Sequence, residues 1–327
     1  MMSAVSPDAV PPPAPFDRRS IPAGAVVGRW HAPDGWDHRS FAWDPAGAPR
    51  GSLLFQGGRG DIFEKYLEAF DHWRGRGWTI RSFDWRGQGG SGRLGRNAGV
   101  GHAEDFAHWV EDLAAYVSEW VAATPAPHVI VGHSMGGHLV LRALMEKRVQ
   151  PDAAVLSAPM LGLRSAPFTP GIAGVIARGM TWVGRPDRAA WKSPNERPGP
   201  PFTPRAALLT HSADRYADEQ WWKVERPEIN LGAPSWRWLA LAFASCAALE
   251  RRGAVEGIDT PLLILNPLED KLVDSAATRR IAARLPDVRI RNWGPESAHE
   301  ILREADPVRS DALAEIDRFL DERAPAR

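Results

Sequence analysis

From residue 51 onward, short apolar runs alternate with stretches whose apolar residues recur every three or four positions. The runs at 52–55, 78–85, 128–132, 153–157, 261–266 and 288–293 have the length and the β-branched or aromatic content of buried strands. Between them, helices are predicted over 62–74, 135–147 and 274–285. Another is predicted where Phe106, Trp109, Val110, Leu113, Val117, Trp120 and Val121 keep helical spacing. Asp306 reads as an N-cap with Pro307 at the first helical position, opening a final helix to about 323. Residues 25–43 alternate around Pro33-Asp34-Gly35 and predict an antiparallel hairpin. This strand–helix alternation implies an α/β fold with a mostly parallel sheet covered on both faces.

Two segments break the rhythm. Residues 1–17 carry Pro11-Pro12-Pro13 and Pro15 and read as a disordered lead-in. Residues 160–240 are rich in Pro, Gly and Trp and show no strand pattern. An irregular stretch that long within a domain reads as a lid. The expected division is therefore a core of 18–159 and 241–327, with 160–240 inserted as a cap. Six of the fifteen tryptophans, including Trp221 and Trp222, fall between 180 and 240.

Composition narrows the function. Forty basic residues balance forty acidic ones in 327, so there is no electrostatic case for a nucleic-acid partner. The single cysteine, Cys246, excludes a disulfide framework within the chain and reads as a small buried hydrophobe. Residues 1–17 have neither the basic nor the apolar region of a signal peptide, and no run is long enough to span a membrane. A cytoplasmic location is expected, peripheral to the inner membrane if the cap touches lipid. His102, Glu104, Asp105 and His108 do not share one helical face and read as solvated, so no metal site and no cofactor is expected.

The sharpest motif is Gly132-His133-Ser134-Met135-Gly136, set between a predicted strand and a predicted helix. A nucleophile elbow needs that setting, because side chains two positions either side of the serine would collide on so tight a turn. A serine hydroxyl needs a base, and the base an orienting acid. His138, His211 and His299 follow Ser134; His299 lies in the loop after the last predicted strand, where this layout puts its base. His138 reads as packing or solvent-facing. For the acid, Asp270 is favoured at the apex of the loop after the strand at 261–266, with Glu269 and Asp274 competing; Asp274 reads better as a helix cap. Backbone N–H groups of Met135 and Arg59 are expected to form the oxyanion hole, Arg59 from the glycine-rich turn Gln56-Gly57-Gly58-Arg59-Gly60. That turn lacks the Gly-Lys-Ser/Thr ending of a phosphate loop. Gly58 and His133 beside Ser134, and His211, Trp221 and Trp222 in the insertion, are candidate substrate contacts. Asp84-Trp85-Arg86-Gly87-Gln88-Gly89 reads as a structural loop in which Asp84 and Arg86 pair.

These residues resemble the lysophospholipase and monoacylglycerol lipase family of α/β-hydrolases, which overlaps the serine aminopeptidase-like hydrolases, the bacterial lysophospholipases above all. The carriers are Gly58-Arg59 with Lys65-Tyr66, the Asp84–Gly89 run through Ser91-Gly92-Arg93, the elbow with Gly137, and Ser157-Ala158-Pro159-Met160. Leu209-Thr210-His211-Ser212 with Arg215-Tyr216, Val273-Asp274 and His299-Glu300-Ile301-Leu302 complete the set. The resemblance implies the α/β-hydrolase fold with Ser134 as nucleophile, Asp270 as acid and His299 as base. It implies a lipid-like ester substrate and an acyl-enzyme route. An aminopeptidase, a short-chain esterase and a non-catalytic binder of the same fold are the competing expectations. Where the family often carries His-Gly before the oxyanion turn, this chain has Gln56-Gly57.

Overall fold

A computed structural model describes residues 16–192 and 205–327. Residues 1–15 of the expected lead-in, and 193–204 within the expected cap, lie outside the described residues. Phe16, at the end of that lead-in, packs against the core.

Among the described residues, eight strands form one sheet in the order β1-β2-β4-β3-β5-β6-β7-β8. β1 (Val26–His31) and β2 (Asp37–Trp43) form the antiparallel hairpin, and β2 also runs antiparallel to β4 (Trp78–Phe83). The rest is parallel: β4 with β3 (Gly51–Gln56), then β5 (His128–His133), β6 (Ala153–Ser157), β7 (Leu262–Pro267) and β8 (Val288–Trp293). β3, β5, β6 and β7 are buried along their whole length, as parallel strands covered on both faces must be.

Helices cover both faces. α2 (Phe106–Ala123), α3 (Met135–Met145) and α8 (Ser275–Ala282) pack on one, and α1 (Leu67–Gly75) and α9 (Asp306–Arg323) on the other. The helical spacing that predicts α2 is its buried stripe: Phe106, Trp109, Val110, Leu113, Val117 and Trp120 are all in the core, whereas Val121 of that spacing is exposed. Asp105 caps that helix through the Ala107 N–H, and Asp274 caps α8 through Ala276 N–H. Phe70 and Trp73 of α1 are fully enclosed, each worth about 2–3 kcal/mol relative to exposure. Cys246 is buried, and burial pushes its thiol up to about 12.

Between β6 and β7 the chain leaves the sheet, and its described residues there include four α-helices joined by loops, where an irregular stretch was expected. It forms α4 (Pro170–Trp182), α5 (Ala206–Leu209), α6 (Ala213–Glu225) and α7 (Trp236–Leu249). The expected boundary at residue 240 falls inside α7. Thr169, Ser212 and Ser235 cap α4, α6 and α7. No helix among the described residues is long and apolar enough to cross a membrane.

Three side-chain expectations are corrected. Asp84 and Arg86 do not pair: Asp84 accepts from Arg39 Nε at 2.7 Å, and Arg86 reaches Asp112 on α2 and Asp34. Asp306 does not cap α9; Ala305 holds that position, and the Asp306 carboxylate accepts from Arg215 at 2.6 Å. His102 is buried and shares a 2.8 Å hydrogen bond with Ser235, so it is not solvated.

Candidate active site

The sheet register assembles the site. Gln56 of β3 lies opposite Gly132 of β5, so the turn after β3 and the turn into α3 leave the sheet side by side. Pro267 of β7 lies opposite Trp293 of β8, so the loops carrying Asp270 and His299 leave together at that same end.

Ser134 joins β5 to α3 with φ 50° and ψ −116°, an unfavourable conformation for a residue with a Cβ. Its backbone is clamped on both sides: its N–H donates to Ser157 O at 2.9 Å, and its carbonyl accepts from Met160 N–H at 3.0 Å. The flanking glycines answer to real contacts. A Cβ on Gly136 would lie 2.3 Å from the Gln56 carbonyl oxygen and 2.5 Å from that of Gly57. One on Gly132 would lie 2.8 Å from Gly137 Cα. The elbow is therefore wedged against the turn that follows β3.

His299 Nε2 lies 2.8 Å from Ser134 Oγ, and His299 Nδ1 lies 2.6 Å from Asp270 Oδ2. The other carboxylate oxygen of Asp270 accepts from Leu272 N–H at 2.7 Å and Val273 N–H at 3.0 Å. Both residues are buried. Burial alone would raise the Asp270 carboxyl, but the His299 imidazolium and these hydrogen bonds prevail and lower it. Burial alone would lower His299, but the Asp270 charge and hydrogen bond, with Glu300 and Asp61 behind them, raise it above 6.5. Glu269 makes no part of this contact, and Asp274 caps α8.

The turn after β3 passes directly over the serine: a Cβ on Gly58 would lie 2.9 Å from Ser134 Cβ. Three side chains hold that turn. Asp61 Oδ2 accepts from Gly58 N–H at 2.8 Å, Gln88 Oε1 accepts from Gly60 N–H at 2.6 Å, and Trp85 Nε1–H donates to Gly57 O at 2.7 Å. The Arg59 guanidinium is turned away, donating to Gly232 O at 2.8 Å and lying over the Trp238 ring. Met135 follows Ser134 and opens α3, fully buried.

A cavity of about 460 Å³ opens onto Ser134 and His299. Gly58, Arg59 and His133 line it, with an apolar arm of Leu163, Ile176, Leu239 and Phe243. Of the tryptophans in the segment, Trp191, Trp236 and Trp238 border it. Trp221 and Trp222 do not: they stack edge to face on α6, and Trp222 Nε1–H donates to Arg18 O. His211 is also outside it. Its Nδ1 lies 3.0 Å from Glu304 Oε1, and the same oxygen accepts from Ala298 N–H at 2.7 Å, so His211 ties its segment to the back of the His299 loop. His138 is buried, between Met160 O and Ser245 Oγ.

Sequence reasoning missed a cluster of charges on the cavity wall: Asp61, Lys65, Glu219 and Glu300, with Arg303 behind. The i,i+4 spacing of Asp61 and Lys65 was the signal available for it.

The sequence matches the serine aminopeptidase (S33) family over residues 47–306. The chain belongs to this family. It is a hydrolase of the α/β fold, and the lysophospholipase resemblance read from its residues agrees with its relatives by sequence. Lysophospholipase L2 of Escherichia coli strain K12 is 31% identical over 288 residues, covering 81% of this chain and 78% of that protein. The probable lysophospholipase L2 of Haemophilus influenzae is 28% identical, covering 85% and 86%. By structure, a soluble variant of the monoglyceride lipase of Saccharomyces cerevisiae superposes with a TM-score of 0.74 at 18% identity, covering 95% of this chain and all of that one. A carboxyl esterase of Bacillus coagulans gives 0.71 at 16%, covering 92% and 99%. These two share the fold.

Proposed function

We propose that this chain is a carboxylic-ester hydrolase that works through an acyl-enzyme on Ser134. The observation that carries the reading is the 2.8 Å contact of His299 Nε2 with Ser134 Oγ, continued at 2.6 Å to Asp270. Ser134 Oγ attacks the acyl carbon while its proton passes to His299 Nε2. Asp270 fixes the ring and stabilises the imidazolium. The backbone N–H groups of Arg59 and Met135 hold the tetrahedral oxyanion, helped by the N-terminal end of α3. The intermediate collapses, His299 gives its proton to the leaving alcohol, and the acyl group stays on Ser134. Water then attacks the ester, His299 takes its proton, and Ser134 leaves with that proton as the free acid departs.

The substrate is a lipid monoester, a lysophospholipid or a monoacylglycerol. Two things favour this: the apolar arm of the cavity, and relatives whose names are lysophospholipase L2. The segment 160–240 serves as the cap over that cavity. Its outer face carries Val175, Trp182 and Val183 at 73%, 84% and 66% exposure, which suits peripheral contact with a lipid surface. Gly58 and His133 contact substrate from the core side.

The test is Ser134→Ala against a panel of short-chain esters, monoacylglycerols, lysophospholipids and prolyl amides. Loss of turnover on long-chain monoesters, with loss of fluorophosphonate labelling, is expected. Retained turnover refutes the serine. Turnover of amides alone makes the chain a peptidase, and of short esters alone a small esterase. No labelling of the folded wild type makes it a binder. For the membrane contact, Val175→Ser with Trp182→Ser is expected to abolish sedimentation with anionic phospholipid vesicles.

A further inference from the structure

Lys65 sits at the centre of the buried charge cluster. Its ammonium has three N–H donors and three carboxylate partners: Asp61 Oδ1 at 2.5 Å, Glu300 Oε1 at 2.6 Å and Glu219 Oε2 at 3.2 Å. Its side chain is 4% exposed. Arg303 pairs with Glu300 and Glu219, and Lys223 with Glu219. Such a cluster is a poor source of stability, because removing so many charges from water offsets their attraction. What it does supply is geometry. Two of the three carboxylates belong to different halves of the catalytic apparatus.

Asp61 is the residue that holds the turn over Ser134: its other oxygen accepts from Gly58 N–H at 2.8 Å and from Tyr66 OH at 2.7 Å. Glu300 is the neighbour of His299, and its own N–H is held by Leu209 O at 2.7 Å. We propose that Lys65 is a positioning residue that locks the oxyanion turn to the loop bearing the base, so that Gly58–Arg59 and His299 keep a fixed separation around Ser134. This inference rests on the acyl-enzyme reading above.

The carboxylates that Lys65 holds also bear on the base. His299 faces Asp270, Glu300 and Asp61, and its ring centroid is 4.8 Å from that of His133, which burial holds neutral with a pKa of about 4. Glu219 stands one contact further, balanced by Lys65, Lys223, Arg303 and Arg205. Without the Lys65 ammonium, the carboxylates that remain favour the imidazolium. Without the Glu300 carboxylate, they favour it less.

The experiment compares Lys65→Met, Lys65→Arg and Glu300→Gln with wild type on one short-chain ester, reading kcat, KM and the acid limb of kcat/KM. Lys65→Met is expected to lose roughly 10- to 100-fold in kcat at little cost in KM, as a small misplacement of catalytic groups does. Its acid limb moves to higher pH. Glu300→Gln moves the limb to lower pH, and Lys65→Arg restores the limb and most of kcat. A folded Lys65→Met with unchanged kcat and limb overturns the proposal, as do limbs of Lys65→Met and Glu300→Gln that shift the same way. If Lys65→Met does not fold, an unmoved limb in Glu300→Gln overturns it. Turnover surviving in Ser134→Ala defeats the acyl-enzyme reading itself; an inactive Ser134→Ala beside an unaffected Lys65→Met defeats only this inference.

Discussion

Asp270 meets His299 with one carboxylate oxygen, 2.6 Å from Nδ1, and takes two main-chain amides with the other. Asp270→Asn separates these jobs. The amide oxygen can still accept from Leu272 and Val273, so the loop keeps its shape. The NH₂ group, however, faces Nδ1 and forces the imidazole into the tautomer whose Nε2 carries a proton. Turnover is expected to fall by about 10⁴-fold with the melting temperature little changed. Steady-state kinetics beside thermal denaturation checks this, and a loss under tenfold removes Asp270 as the acid.

The acid limb of kcat/KM reports the free enzyme's base. Since Asp270, Glu300 and Asp61 raise His299 despite its burial, half-maximal kcat/KM is expected above pH 6.5. Activity is lost as pH falls through that value, because the imidazolium cannot accept the Ser134 proton. A pH–rate profile with its midpoint below 6.5 contradicts it.

Gly136→Ala is expected to damage the fold and the site together. Its methyl group would press on the carbonyl oxygens of Gln56 and Gly57, backbone atoms of a fully buried strand end and its turn. Overpacking of this kind costs about 2–3 kcal/mol. The shift displaces the turn over Ser134. A lowered melting temperature and weak fluorophosphonate labelling are the joint signature.

Stability on the acid side carries a histidine signature. Burial holds His138 neutral with a pKa of about 3 and His133 with one of about 4, while both ordinarily titrate near 6.5. The unfolded chain therefore binds more protons between pH 6.5 and about 4, and stability falls with pH there. Each group contributes about 1.4 kcal/mol per pH unit across that window. The raised His299 adds no slope below 6.5, and the lowered Asp270 and Asp61 act only nearer 3.8. His138→Gln is expected to lose about 1–3 kcal/mol at pH 7, where Met160 O and Ser245 lose a partner, and to show a shallower fall toward pH 5. Urea denaturation at both pH values measures it.

The sheet was legible because its central strands are buried throughout and read as unbroken apolar runs, and the helices between them bury one stripe. The helices between β6 and β7 were not, for two physical reasons. α4 leaves Ile172, Val175 and Trp182 exposed, so its apolar residues do not mark a buried face. α6 buries Asp218, Glu219 and Lys223 through ion pairs, so polarity there does not mark a surface. Ser134, Asp270 and His299 could be singled out as candidates, and they do meet, because each follows a recognisable strand. Lys65 could not be assigned a role, because its partners lie on three separate segments that only the fold joins. The Asp84–Arg86 pairing misled because proximity in sequence is weak evidence of contact: the true partners, Arg39 and Asp112, stand on a neighbouring strand and a covering helix.

The adjacency of β3 and β5 has a consequence for how activity arises during synthesis. Their shared edge brings Ser134 and the Gly58–Arg59 turn together early, since both turns, and the Ser157 and Met160 backbone groups that clamp Ser134, precede position 161. His299 arrives only with the turn beyond β8, more than a hundred and sixty positions later along the ribosome's exit path. On the acyl-enzyme reading, a nascent chain stalled before that point would hold Ser134 already bent into place yet inert, and chemical competence would appear in a single step as the last parallel strand docks.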